Sequence, residues 1–255
     1  MKKGVLIIFI VLMGVMMAAC GAPAGGEAAD TSAAAPEESP IAVESEAEAV
    51  VIFTDPVLEE LVRKAMGKPE GDITLAEAEA VTALDLNMQD AGAVARVKDI
   101  SDLAQFSNIM YLNLAWALND GDNAIDISPL ASLTKLEALY INCDNIVDIS
   151  ALSGMTGMMD LKIWGNNISD IGVLANMPLL EDLWIQSNQI TDISALSGMT
   201  NLYRLYMADN QVTNVSPISG LTGLTSLMLE GNPIEDYSPL AAIYPNLMEM
   251  DFEVE

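Results

Sequence analysis

The sequence predicts an α/β solenoid, with short parallel strands on a concave face, short 3-10 turns on a convex face and a helical cap at its N-terminal end. Three observations predict it. Apolar residues return every 22 positions through most of the second half of the chain. Within each period two of them stand two residues apart, as on the inward face of a strand. Two short helical signals precede the first period.

The repeats come first. Segments beginning at Leu133, Met155, Met177, Met199 and Leu221 align without gaps. Leu139, Leu161, Leu183, Leu205 and Leu227 form one column; Ile141, Ile163, Ile185, Met207 and Leu229 form the next. Seven such columns are apolar at all thirty-five positions, where a hydrophobic content of 51% would fill about half. One coil cannot bury its inward face alone, but stacked coils make a continuous parallel sheet. A polar column, Asp144, Asn166, Asn188, Asn210 and Asn232, is expected to turn amides inward and satisfy backbone groups where each strand ends. In the return segments Asp148-Ile149-Ser150, Asp192-Ile193-Ser194 and Asp236-Tyr237-Ser238, the serine hydroxyl is expected to cap a short turn, with proline next where it occurs. The recurring aspartates read as cap or turn residues rather than cation ligands.

The pattern L-x-x-L-x-L-x-x-N-x-I resembles a leucine-rich repeat, and the 22-residue period with I-x-D-I-S-x-L resembles the bacterial internalin-like class. That resemblance implies a surface recognition protein, in adhesion or host contact.

Two earlier coils are irregular. Val81, Leu84 and Leu86 open one; Ile109, Leu112 and Leu114 open another, whose extra length is placed at 115 to 124. The Asp120-Gly121-Asp122-Asn123 stretch there is a fragment of a calcium-loop pattern without its remaining ligands. Ahead of both, Asp55-Pro56 opens a helix closed by Gly67, and Thr74-Leu75-Ala76-Glu77 is a capping box for a second. This stretch resembles the helical cap of bacterial leucine-rich-repeat proteins. The stretch YPNLMEMDFEVE, 244–255, keeps Leu247, Met250 and Phe252 and reads as a last, polar-edged strand.

The N-terminal segment has another purpose. Lys2 and Lys3, an apolar run and small residues read as a secretory signal over 1–19, too short for a membrane span. Met17-Ala18-Ala19-Cys20-Gly21 resembles a lipoprotein lipobox, which implies cleavage before Cys20 and a lipid on its thiol. Residues 20–49, rich in acids and prolines, read as a disordered acidic tether. The cap then occupies 50–80 and the solenoid, with its C-terminal strand, 81–255. The expected location is the outer side of a bacterial cell membrane.

Composition narrows function. A formal charge of −27 argues against nucleic acid and against docking flat on anionic lipid, leaving the N-terminal lipid as the membrane contact. Histidine is absent, and no nucleophile–base pair or phosphate loop occurs, so no enzyme, cofactor or metal site is expected. Alternation along the strands turns a second set of residues to solvent. Its rows gather Tyr140, Lys162, Trp164, Asp182, Trp184, Arg204 and Tyr206, with Tyr140, Trp164, Trp184 and Tyr206 on one diagonal. Aromatic rings with arginine, bordered by charge, are what hot spots are made of, which gives the ligand-binding set for an unidentified protein partner. The alternatives are a glycan on the same rings, or a purely structural envelope role in which the rings only stack on one another. Cys143 reads as a small residue in a tight turn.

Overall fold

A computed structural model of the chain describes residues 49–90, 95–118 and 124–254. The secretory signal, Cys20, nearly all of the acidic tether and the Asp120–Asn123 stretch lie outside the described residues. The first described helix, α1 (Pro56–Met66), is marked at both ends. Asp55 accepts the amides of Val57 (2.8 Å) and Leu58 (3.0 Å), proline occupies the first turn, and Gly67 closes the helix at φ 65°. The other oxygen of Asp55 accepts the amides of Lys98 and Asp99, so one carboxylate ties the cap to the first coil. Helix α2 (Leu75–Ala80) starts with the reciprocal Thr74–Glu77 capping box. Leu58, Val62 and Ala78 bury the inner face of this cap.

Eight strands follow in chain order: β1 (Ala83–Asp85), β2 (Tyr111–Asn113), β3 (Ala138–Tyr140), β4 (Asp160–Lys162), β5 (Asp182–Trp184), β6 (Arg204–Tyr206), β7 (Ser226–Met228) and β8 (Glu249–Met250). All are parallel in one sheet, and each pairs with its sequence neighbours. The central leucines align across it, Leu112 beside Leu139, Leu161, Leu183 and Leu205. Short 3-10 turns, such as Ser128–Ser132, Ser150–Gly154 and Gly172–Asn176, return the chain on the other side. Every position of the seven apolar columns is buried except Ile234 and Tyr237, which are partly buried. Those two belong to the last full coil, where Tyr237 stacks on Phe252 at 5.1 Å.

The asparagine column behaves as expected. Asn166 donates to the carbonyls of Ile141 and Ile163 (both 2.9 Å) and accepts from the amides of Asp144 and Ile146. Asn188 and Asn210 repeat the arrangement one and two coils on. Each carboxamide thus bonds its own coil and the preceding one.

The expected serine cap is corrected. The serine is already the first residue of the 3-10 turn, preceded by an isoleucine with no side-chain cap. The aspartate two residues earlier accepts the serine amide instead, at 2.8 Å from Ser128, Ser150, Ser194 and Ser238 alike. Ser128 and Ser194 hydroxyls donate back to the same aspartates. A carboxylate with two free oxygens is the better acceptor for an exposed amide, and it leaves the hydroxyl as donor.

The residue before each strand from β2 onward forms another file: Met110, Glu137, Met159, Glu181, Tyr203, Thr225 and Met248, linked coil to coil by backbone hydrogen bonds. Met110, Met159, Tyr203 and Met248 are exposed, with a carboxylate or hydroxyl between each pair.

Candidate functional site

The three solvent-facing rows emerge from strand register. Tyr140 pairs with Lys162, Lys162 with Trp184, and Trp184 with Tyr206. Trp184 is neither in the core nor on the outer bend. Its ring is half-buried against Tyr206, with centroids 4.8 Å apart, and its indole N–H donates to Asp182 at 2.7 Å. Asp182 is itself buried and accepts Arg204 Nη1 at 2.5 Å. Tyr206 donates to Glu249 at 2.7 Å. Burial pushes the Asp182 carboxyl above its usual range; Arg204 pulls it down and the neighbouring Asp160 pushes it up again.

Lys162 sits between two rings, its ammonium 4.1 Å from the Tyr140 centroid and 5.0 Å from that of Trp184, and 3.5 Å from Asp160. Asp160 also accepts the Tyr140 hydroxyl at 2.5 Å. Burial, then that hydrogen bond, raises the Tyr140 pKa, so the phenol stays a donor. Three side-chain atoms along this border are covered and have no hydrogen-bond partner among the described residues: Asp160 Oδ1, Gln186 Oε1 and Arg204 Nε. The border holds unused hydrogen-bonding capacity.

The single diagonal expected from the sequence divides in two. Trp184 and Tyr206 form one ring pair. Tyr140 instead meets Tyr111 edge-on at 5.4 Å, and Trp164 meets Trp116 edge-on at 5.1 Å. Lys162 is the link between the halves. Trp116 is the residue the sequence reading missed. The sequence places it in the irregular insert of its coil, but residues 115–118 keep the repeat frame: Met88 N–H donates to Ala115 O, and Trp116 N–H to Asn142 O. Trp116 occupies the turn position of Cys143, Gly165, Ser187, Asp209 and Gly231, all with φ between 54° and 76°, and has φ 58° itself. The missed signal is the spacing of 27 from Trp116 to Cys143, equal to that from Leu112 to Leu139. A left-handed backbone at a non-glycine residue costs about 1–2 kcal/mol, so a tryptophan there carries strain.

Cys143 in the same column is a turn residue. Burial and then Asp144 push its thiol up to about 11, so it is protonated at neutral pH and a poor nucleophile. Among the described residues no group of three or more His, Cys, Asp or Glu side chains could hold a metal ion, and no helix is long and apolar enough to cross a membrane.

The family model for leucine-rich repeats (two copies) matches residues 160–198 and 200–242. Among solved structures, internalin C2 from Listeria monocytogenes aligns with a TM-score of 0.66 at 26% identity, covering 82% of this chain and all of that one. The fold is an internalin-like leucine-rich-repeat solenoid. A second Listeria monocytogenes internalin, inlF, covers 83% of this chain and all of its own at 24% identity, with a TM-score of 0.30 too low to bear on the fold. A comparison with curated proteins finds no match. The internalin-like solenoid places six of the seven expected site residues on its strand-side surface, in the two groups above; the seventh, Asp182, expected to face solvent, is buried where it holds Trp184 and Arg204.

Proposed function

We propose that this chain is an extracellular recognition module that binds a protein partner through the concave face, in adhesion or host contact, held at the outer side of a bacterial cell membrane by a lipid on Cys20. The observation that carries the reading is the Trp184–Tyr206 pair. Two large rings on neighbouring strands face solvent, each fixed at its polar tip, with Arg204 locked between Asp182 and the rings of Tyr203 and Tyr206. Such side chains offer roughly 150–250 Å² apiece at little entropic cost, because their rotamers are already restrained. Lys162, Tyr140 and Trp164 extend the surface toward the N-terminal coils. A net charge of −27 favours a partner with a basic surface, steered by the field of the whole molecule.

The test is a photo-crosslinking side chain at position 184 on intact cells. A discrete protein adduct, lost when Tyr206 and Arg204 are replaced by alanine, supports the reading. Crosslinks only to lipid or polysaccharide, or adducts indifferent to those replacements, overturn it. The anchor is tested separately: Cys20→Ala is expected to release the protein from the membrane fraction into the medium.

A further inference from the structure

We propose that the concave face carries a second, chemically different site: a hollow between Trp116, Trp164 and Tyr140 that takes one ring of a neutral saccharide. This inference goes beyond the protein-partner reading: the hollow shares Tyr140, Trp164 and Lys162 with the N-terminal extension of that surface, while the Trp184–Tyr206 pair that carries that reading does not line it.

The hollow measures about 240 Å³ and is lined by Trp116, Trp164, Tyr140, Asn113, Asn142 and Asn87, with Lys162 at its rim. It is smaller than the roughly 300 Å³ at which ordinary small-molecule pockets begin, which suits one ring rather than a longer ligand within it. Its walls are aromatic. Trp116 and Trp164 meet edge-on at 5.1 Å and 76°, so one indole presents its flat face beside the other's edge. A sugar ring has an apolar C–H face to lay on such a platform and hydroxyls around its rim. Hydroxyls are best met by groups that both donate and accept, and a carboxamide does both.

Carboxamides are what the rest of the hollow supplies. Asn87, Gln89, Asn113 and Asn142 all line it. Asn113 and Asn142 are buried, so both carboxamides belong to the wall of the hollow rather than to open solvent. Asn87 at the far side is exposed and uses only its carbonyl oxygen, toward the amide of Gln89. The one cation at the rim, Lys162, is engaged by Asp160 and two rings, and the molecule is strongly negative, so anionic sugars are disfavoured.

The strain at Trp116 points the same way. Its turn position elsewhere holds glycine or a small or polar residue, and all of those positions share the left-handed backbone. A tryptophan kept there, with its ring aimed at Trp164, is an outlier of the kind that gathers at ligand sites.

The experiment uses the full chain in a detergent without sugar headgroups. Cellotriose and chitotriose are the neutral probes, and a sulfated disaccharide is the anionic one. Tryptophan emission and saturation-transfer NMR report binding. At least one neutral trisaccharide is expected to bind and the sulfated sugar to fail. Trp164→Ala and Asn142→Ala are each expected to weaken binding by about tenfold or more, while Trp184→Ala leaves it unchanged. Trp116→Gly suits the left-handed turn, so it should keep cooperative unfolding while losing the sugar. Silence from both neutral probes overturns the proposal, as does binding that survives Trp164→Ala, or loss of binding in Trp184→Ala to the same degree. A protein partner that crosslinks at 184 but not at 116 leaves the two sites distinct; a peptide displacing the sugar from Trp116 makes the hollow a protein pocket and overturns the assignment.

Discussion

Asn188 holds four hydrogen bonds within the solenoid: its amide nitrogen reaches the carbonyls of Ile163, Ile185 and Gln186, and its oxygen takes the amide of Ile168. Removing the carboxamide leaves several buried backbone groups unmet, each worth about 1–3 kcal/mol. Asn188→Ala is therefore expected to lower unfolding free energy by at least about 3 kcal/mol in urea titration, and Asn188→Asp to restore little, because a carboxylate cannot donate. The turn column gives a second case. A Cβ at Gly165 would stand 2.8 Å from Cys143 Sγ, on a backbone with φ 67°. Gly165→Ala should cost about 1–2 kcal/mol for the backbone alone, with the clash added. Adding Cys143→Ala should recover the clash and leave the backbone cost, a partial rescue readable in a double-mutant cycle. The repeating asparagines are legible from sequence because their geometry is shared by every coil. Trp116 is not, since its identity breaks the column of small residues and its coil has an irregular length.

Elements are joined by few groups, and those are where perturbation tells most. Asp55 caps α1 and also grips the first coil through Lys98 and Asp99. Burial pushes its carboxyl up, but four backbone amides outweigh this and hold it below the usual range. Its contribution is then complete above the unfolded pKa and lost as pH falls through the folded value. Asp55→Ala should cost about 2–3 kcal/mol near neutral pH, and acid titration followed by circular dichroism should show a shallower acid limb in Asp55→Asn than in the unmodified chain. The file before the strands gives a different prediction. Glu181 separates Met159 from Tyr203 along a line of exposed apolar side chains. Glu181→Leu should fuse them into one ridge and promote self-association in light scattering without lowering the melting temperature. Element types were readable because strand and turn carry different spacings. The division of labour between Asp and Ser at each turn was not, because both residues cap and only the local backbone decides which accepts. Ring pairing was illegible for a similar reason: strand register puts Trp164 near Trp184, yet side-chain direction sends it to Trp116.

Across the whole molecule, 37 acids against 10 bases push on one another. Screening shortens the Debye length from about 10 Å at 0.1 M salt to about 3 Å at 1 M, so the melting temperature is expected to rise with sodium chloride, as differential scanning calorimetry can show. A fall would mean that the ion pairs of Arg204 and Lys162 outweigh the repulsion. The period made the solenoid legible, since thirty-five matched positions leave no other way to bury them; the sites on its surface depend on contacts between coils that spacing does not encode. One feature of those contacts has a direction. Each carboxamide of the polar ladder reaches back to the coil before it, and Asp251 does the same in the last coil by accepting the amides of Leu229 and Glu230. Every newly synthesised turn of chain therefore meets an edge with open amides and carbonyls that its own carboxamide fills. Assembly can keep pace with translation, from the helical end forward.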